Sequence, residues 1–404
     1  MKKIVSLILL AALILGGCGT GGNGQSSDKK DYGIISSGNN ELAFKLLPEI
    51  EAGDDGNIFI SPTSLYFALS MLYNGADGET KKEIEQVLQV ENPDQVNEAN
   101  AWMMEKLTGK KKDIELHIAN SIWVSKRFTL QDEFKEKNEK YYKAEIEEID
   151  VNDPKTPGII NDWVSKATKK KIDEIVKPPL NPDLVAYLIN AIYFKGNWKY
   201  EFDEKATEPG SFYLLDGTEK EVNYMTLGKK LPYFETDGFQ AVSLPYGEEG
   251  NMSMTIFLPK DHEAFKEELT YENWERWSRQ FAEKDGTIRL PKFKLEYEIG
   301  LNEALKTLGM PSAFSKNEAN LSKLIEEKDP IWVSEVKQKT YIDVNEKGTE
   351  AAAVTSVEVV TESATGDLPF YMEVNRPFFF TITDNETKTI LFLGEITNPV
   401  EKEE

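Results

Sequence analysis

Two histidines and one cysteine are all that these 404 residues offer for conventional nucleophilic or metal chemistry. His117 sits in Ile114-Glu115-Leu116-His117-Ile118-Ala119, an alternating run that predicts a strand. His262 follows Pro259-Lys260-Asp261 in a turn-like stretch. Neither has a second histidine at ligand spacing, and no cysteine remains beside them to bind zinc. A Ser-His-Asp hydrolase would have to use one of the two, yet no G-x-S-x-G elbow, Walker loop or dinucleotide fingerprint accompanies them. Both histidines read as structural or surface residues. No metal or cofactor is expected, and catalysis is disfavoured, with paired carboxylates the one enzymatic device that sequence leaves open.

The stretch from Asp343 to Asn375 has instead the chemistry of a substrate. Gly348 permits a backbone hinge, and Thr349 to Glu362 follow it. Read with period two, one face carries Thr349, Ala351, Ala353, Thr355, Val357, Val359 and Thr361, all uncharged and small or β-branched. Glu350, Glu358 and Glu362 all fall on the other face. A strand of this kind could slide into a sheet, burying one face and leaving its charges outside. Ser363-Ala364-Thr365-Gly366-Asp367 then reads as exposed loop, open to proteolysis. A plain edge strand followed by a turn has the same pattern, so both readings stand at this point.

Elements able to position such a segment are legible on either side. Leu65, Ala68, Leu69 and Leu72 repeat at helical spacing after Ser61-Pro62. Thr80-Lys81-Lys82-Glu83 has the form of a capping box, with Ile84, Val87 and Leu88 on one face beyond it. Asn161 to Val176 is a third expected helix. Gln240 to Tyr246 and Asn251 to Leu258 predict a hairpin, as do Phe378 to Thr383 and Lys388 to Ile396. Helices and strands mix without βαβ alternation, so the class is α+β.

The chain's ends and charge set its context. Lys2 and Lys3 precede an apolar run from Ile4 to Leu15 and then Gly16-Gly17-Cys18, the pattern of a secretory signal. Its ending resembles a bacterial lipoprotein signal, with Cys18 the lipidated residue after cleavage. Residues 19 to 39, rich in Gly, Ser and Asn, read as a flexible tether with a reach of roughly 25 Å. The expected organisation is therefore signal peptide 1–17, lipidated Cys18 and tether 18–39, and a single domain 40–400 outside the cytoplasm. A net charge of -23 argues against affinity for nucleic acid. Lys110 to Lys112 and Lys169 to Lys171 read as solvated helix ends rather than a polyanion site.

Several motifs together resemble the serpin family, and the resemblance covers roughly Asn40 to Pro399. Glu346-Lys347-Gly348-Thr349-Glu350-Ala351-Ala352-Ala353 is similar to the hinge of an inhibitory serpin. Asn57 to Leu65 resembles the family's early helix signature, and Asn190 to Trp198 its central strand motif. Asn375-Arg376-Pro377-Phe378 and Phe392 to Pro399 resemble its C-terminal signature. The resemblance implies a large central sheet and an exposed reactive loop. A serine protease attacks that loop, forms an acyl-enzyme, and is trapped when the loop inserts into the sheet. It further implies that Ser61, Ser64 and Asn190 form a shutter beneath the opening sheet and that Trp198 lies at the breach where insertion begins. The family often has histidine where this chain has Gln338, which cannot gain charge near neutral pH.

Family spacing puts the scissile bond at Glu362-Ser363, which would favour glutamyl-specific proteases. The stretch to Asn375 is longer than in many relatives, so cleavage after Val360 or Thr361, by elastase-like or subtilisin-like enzymes, stays open. The expected product is a covalent complex between a monomeric inhibitor and a serine protease. Two other functions compete: a non-inhibitory carrier or assembly serpin, and a solute-binding lipoprotein.

Overall fold

The computed structural model describes residues 31–90, 95–349 and 368–401. Helix α1 (Asp31–Leu46), strand β1 (Ile58–Ile60) and helices α2 (Pro62–Gly75), α3 (Gly78–Leu88) and α4 (Val96–Thr108) come first. Strand β2 (Ile114–Ser125), helix α5 (Asp132–Tyr142), strand β3 (Glu145–Ile149), helix α6 (Thr156–Ala167) and strand β4 (Ala186–Asn197) follow. Strands β5 (Glu208–Tyr213), β6 (Glu219–Glu235), β7 (Phe239–Tyr246) and β8 (Met252–Pro259) lead to helices α7 (His262–Glu268) and α8 (Tyr271–Ser278). Next come β9 (Ala282–Pro291), β10 (Phe293–Gly300), helix α9 (Asn302–Thr307), β11 (Val333–Asn345) and β12 (Gly348–Thr349). Strands β13 (Phe370–Glu373), β14 (Phe378–Asp384) and β15 (Ile390–Ile396) close the chain.

The strands form two sheets. One runs β1-β15-β14-β8-β7-β6-β9-β13, with β5 added beside β6. The other, in the order β10-β11-β12-β4-β2-β3, is mixed, and β11 also pairs directly with β4. Between the six-stranded sheet and the first sheet lies the main core, into which α2 is sunk almost whole. Helix α2 can be buried all round because its sequence is apolar on every face. Ser61 caps it by accepting a hydrogen bond from Ser64 N, with Pro62 at its first position. A second apolar cluster covers the outer face of β4, joining Ile160 and Val164 of α6 to Tyr187, Ile189 and Ala191.

Both expected hairpins are present as β7–β8 and β14–β15. Three local expectations need correction. The Thr80–Glu83 capping box does not form: α3 starts at Gly78, the Thr80 hydroxyl bonds Ser312, and Glu83 accepts from the Ser312 amide and hydroxyl. Tertiary partners have taken both capping side chains. Residues 31 to 39 are helix rather than tether, because Asn39 and Asn40 cap the backbone of Ile390 and Lys388 and Ser36 bonds Thr389. The helix expected to reach Val176 stops at Ala167, where Lys169 and Lys170 adopt positive φ and Asn161 ties down the following strip at Ile175 and Val176.

The lysine runs are not merely solvated. Lys111 caps the last carbonyls of α4 and faces the buried Asp384, while Lys106 pairs with Glu386 and Lys112 with Glu248. Lys169 pairs with Glu115, and Lys171 lies over the Tyr341 ring. Cys18 and the signal segment fall outside the described residues.

Candidate functional site at the seam of the six-stranded sheet

Two parallel strands, β4 and β11, form the centre of the six-stranded sheet. They are directly paired from Val333–Ala186 to Tyr341–Tyr193. Above that they fork. The chain leaves β11 through Glu346 and Lys347, reverses, and re-enters as β12, antiparallel to both neighbours. Gly348 faces Asn345 and Asn197, and Thr349 faces Val344 and Gly196. Because only the two residues Glu346 and Lys347 separate β11 from β12, the re-entering strand must run antiparallel to β11, and hence to its parallel partner β4.

Glycine is required at the fork. A Cβ on Gly348 would lie 2.0 Å from the Gly196 carbonyl oxygen, and its φ is +151°. Thr349 is completely buried, and its hydroxyl is 2.7 Å from the Tyr246 hydroxyl. Tyr246 in turn stacks on Trp198 with centroids 4.3 Å apart. Trp198 binds the hinge twice, from its indole to Asn345 O at 2.9 Å and from its backbone to Lys347 O at 2.8 Å.

Glu346 holds the hinge to the body. Its carboxylate accepts from Thr207 at 2.7 Å and pairs with Lys292 at 3.1 Å. Burial raises its pKa, but Thr207, a backbone donor and Lys292 outweigh burial and bring it below the ordinary carboxylate value. A folded pKa that is lowered means a contribution fully present above the unfolded value of about 4.3, and lost as pH falls through the folded value. Thermal midpoints measured from pH 6 to pH 3 should therefore drop more steeply for the wild type than for Glu346→Gln. Parallel curves would show that this carboxylate does not stabilise the fork.

Below the fork, three side chains line up across three strands. Asn120 on β2 faces Asn190 on β4, which faces Gln338 on β11. Gln338 accepts from Ser61 N at 2.8 Å and donates to Ser61 O at 2.9 Å and Asn190 Oδ1 at 2.6 Å. Asn190 donates to Ser64 Oγ and to Asn120 Oδ1. Ser61 Oγ reaches Leu391 O at 2.7 Å. Among the described residues the Gln338–Asn190 bond is a side-chain hydrogen bond spanning the seam itself. Gln338→Ala would orphan buried groups on Ser61 and Asn190 at about 1–3 kcal/mol each. For a chain of this size that should lower the melting midpoint by roughly 3–6 °C, read by calorimetry.

The outer face of the seam is strapped. Lys337 Nζ donates to Ile175 O at 3.1 Å and Lys339 Nζ to Glu174 O at 2.6 Å, and both also pair with carboxylates on β10. Separation of β4 from β11 must carry this strip with β11 or displace it.

Of the residues singled out from sequence, Ser61, Ser64, Asn190 and Gln338 meet in one buried network, and Glu346, Gly348, Thr349 and Trp198 meet at the fork. Glu350, Ala351, Ala352, Ala353, Val360, Thr361, Glu362 and Ser363 lie outside the described residues. Sequence reading missed Asn120, Thr207, Tyr246 and Lys292; each is distant in the chain and sits in no local pattern. Neither histidine is bonded to a serine hydroxyl among the described residues. His117 lies 3.8 Å from Glu115, and His262 lies 3.0 Å from the buried Glu395.

A serpin family profile, described as Serpin (serine protease inhibitor), matches residues 37–399. The chain belongs to the serpin family. It is 32% identical to a serpin-like protein of Methanosarcina mazei, with 98% of each chain covered. Iripin-2 of Ixodes ricinus is also 32% identical, over 90% of this chain and 93% of its own. Among solved structures, native tengpin, a thermophilic serpin, aligns with a TM-score of 0.81 at 31% identity, covering 90% of this chain and 94% of its own. Human thyroxine-binding globulin complexed with thyroxine aligns at 0.83 and 28% identity, covering 92% of this chain and 100% of its own. The serpin fold is thus established, in the α+β class expected. Most serpins are protease inhibitors rather than enzymes, and some do not inhibit.

Proposed function

We propose that this serpin inhibits serine proteases by trapping them, using the seam between β4 and β11 as the receiving slot. The observation that carries this reading is the fork: Gly348 and Thr349 already form a strand between β4 and β11, while the rest of the seam is closed by direct pairing. Insertion would continue a strand already begun.

The register supports it. Thr349 faces Gly196 and Val344; six residues further along the same register, Thr355 would come between Asn190 and Gln338. Its hydroxyl could then replace the bond that Gln338 and Asn190 make across the closed seam. The face shared by Thr349, Ala351, Ala353, Thr355, Val357, Val359 and Thr361 would turn inward, keeping Glu350, Glu358 and Glu362 outside. We assign the attacked bond to Glu362-Ser363, with Val360 and Thr361 as alternative cleavage positions, and the anchorage to lipid on Cys18 at the outer side of a bacterial membrane.

The test mixes the soluble domain with glutamyl-specific, elastase-like and subtilisin-like serine proteases and looks for complexes that survive denaturing electrophoresis. Mass spectrometry of the released C-terminal peptide identifies the bond. Cleavage with every protease left active would replace this reading with that of a non-inhibitory carrier.

A further inference from the structure

We propose that Lys199, Lys229 and Lys284, three lysines with no carboxylate partner among the described residues, form a docking rim that draws a protease of net negative charge onto the reactive loop. This rests on the inhibitory reading above and adds the kind of partner.

The described residues stop at Thr349, at the end of β12, and resume at Leu368, just ahead of β13. Any enzyme working on residues between these anchors must approach the surface around them. At the first anchor, Lys199 follows Trp198 and Asn197, the residue paired with Gly348. Its ammonium lies 5.9 Å from the Tyr200 ring centroid, and Lys229 approaches the same ring at 5.9 Å. At the second anchor, Lys229 faces Gly286, whose missing side chain leaves room for the Phe370 ring; a Cβ there would come within 2.2 Å of it. Phe370 stacks on Tyr233 at 4.3 Å, and Lys284 lies 5.4 Å from Tyr233. Aromatic rings therefore hold the lysine stems in a row from one anchor to the other.

Charge balance sets these lysines apart from the paired lysines nearby. Lys112, Lys292 and Lys347, near the same end of the molecule, are each neutralised by a glutamate. Lys199, Lys229 and Lys284 have no carboxylate partner among the described residues, and Lys199 and Lys229 are exposed. Strand alternation reinforces this: Glu283 and Asp285 point to the face opposite Lys284. Glu235, on the same face as Lys229, accepts from the Tyr233 hydroxyl at 2.5 Å and forms no ion pair with a lysine among the described residues. A chain of net charge -23 repels anionic proteins over most of its surface, so a local positive rim orients such a partner toward the loop.

The experiment uses a subtilisin-like protease of net negative charge whose nucleophilic serine is replaced by alanine, so that docking is read without trapping. Its affinity for the wild-type soluble domain and for the Lys199→Glu/Lys229→Glu/Lys284→Glu variant is measured by surface plasmon resonance between 20 and 500 mM salt. Binding should be about ten-fold weaker for the variant at low salt, with the curves converging at high salt as charges are screened. Circular dichroism checks folding, and a Lys→Gln triple variant gives an intermediate loss. Equal binding by wild type and variant overturns the proposal, as does absence of binding by either. Stronger, variant-sensitive binding to vesicles of phosphatidylglycerol and phosphatidylcholine also overturns it, by making the partner a lipid surface. Trapping by the active protease is scored separately, so a failure of inhibition is distinguishable from a failure of docking.

Discussion

On the trapping function proposed above, Thr349→Arg should leave a substrate in place of an inhibitor: the loop is cut, no covalent complex survives denaturation, and the protease recovers full activity. Thr349 is completely buried between Val344 and Gly196, and its hydroxyl already has the Tyr246 hydroxyl as partner. A guanidinium there would have no carboxylate opposite it on Gly196 or Val344. Because the fork already buries position 349, the arginine should first withdraw residues 348 and 349 from between β4 and β11, and insertion must then bury the unpaired charge at a cost of several kcal/mol. Each 1.4 kcal/mol on that barrier slows insertion ten-fold. Hydrolysis of the acyl-enzyme does not depend on the slot, so it proceeds at its usual rate and wins. Complex formation should fall at least about a hundred-fold on that arithmetic, with cleavage unimpaired. Thr349→Ser keeps the hydroxyl and the size and should retain trapping. If the arginine variant traps as well as the wild type, the seam is not the receiving slot.

The second large effect concerns stability. On the same proposal, nicking the chain beyond residue 361 should let it join β4 and β11 along their length, and the melting midpoint should rise by more than about 10 °C. The gain comes from new ladder hydrogen bonds on both sides and burial of an apolar face, set against the loss of the β4–β11 pairing. The rise is a direct reading of the free energy stored in the closed seam. It should disappear in Thr349→Arg, which is nicked equally well but cannot insert. Differential scanning calorimetry before and after limited proteolysis gives both numbers. An unchanged midpoint in the nicked wild type would mean the closed seam stores nothing.

These two experiments bear on different steps. The first measures a race between insertion and hydrolysis, and the second the equilibrium that drives insertion. A variant that gains stability on nicking but fails to trap would locate its defect in rate alone.

The regular elements were legible because their signals are local. The apolar stretch after Ser61-Pro62 is α2, and the alternating runs around Gly247–Gly250 and Asp384–Lys388 are hairpins. Local signals failed where a distant group competed for the same atoms. Thr80 and Glu83 form no capping box because Ser312 binds them, and Ser36 and Asn39 look like tether until Thr389 and Ile390, where β15 begins, supply their partners.

Sequence alone determined the character of the hinge: a glycine, then a hydroxyl, then period-two segregation of small residues from acids, all properties of consecutive residues. Tertiary structure decided what meets it. Lys292 and Thr207 on Glu346, Tyr246 on Thr349, and Asn120 in the row with Asn190 and Gln338 come from segments far apart in the chain. Such contacts depend on strand order and register, and no stretch of neighbouring residues encodes either, because pairing partners are chosen by the sheet as a whole.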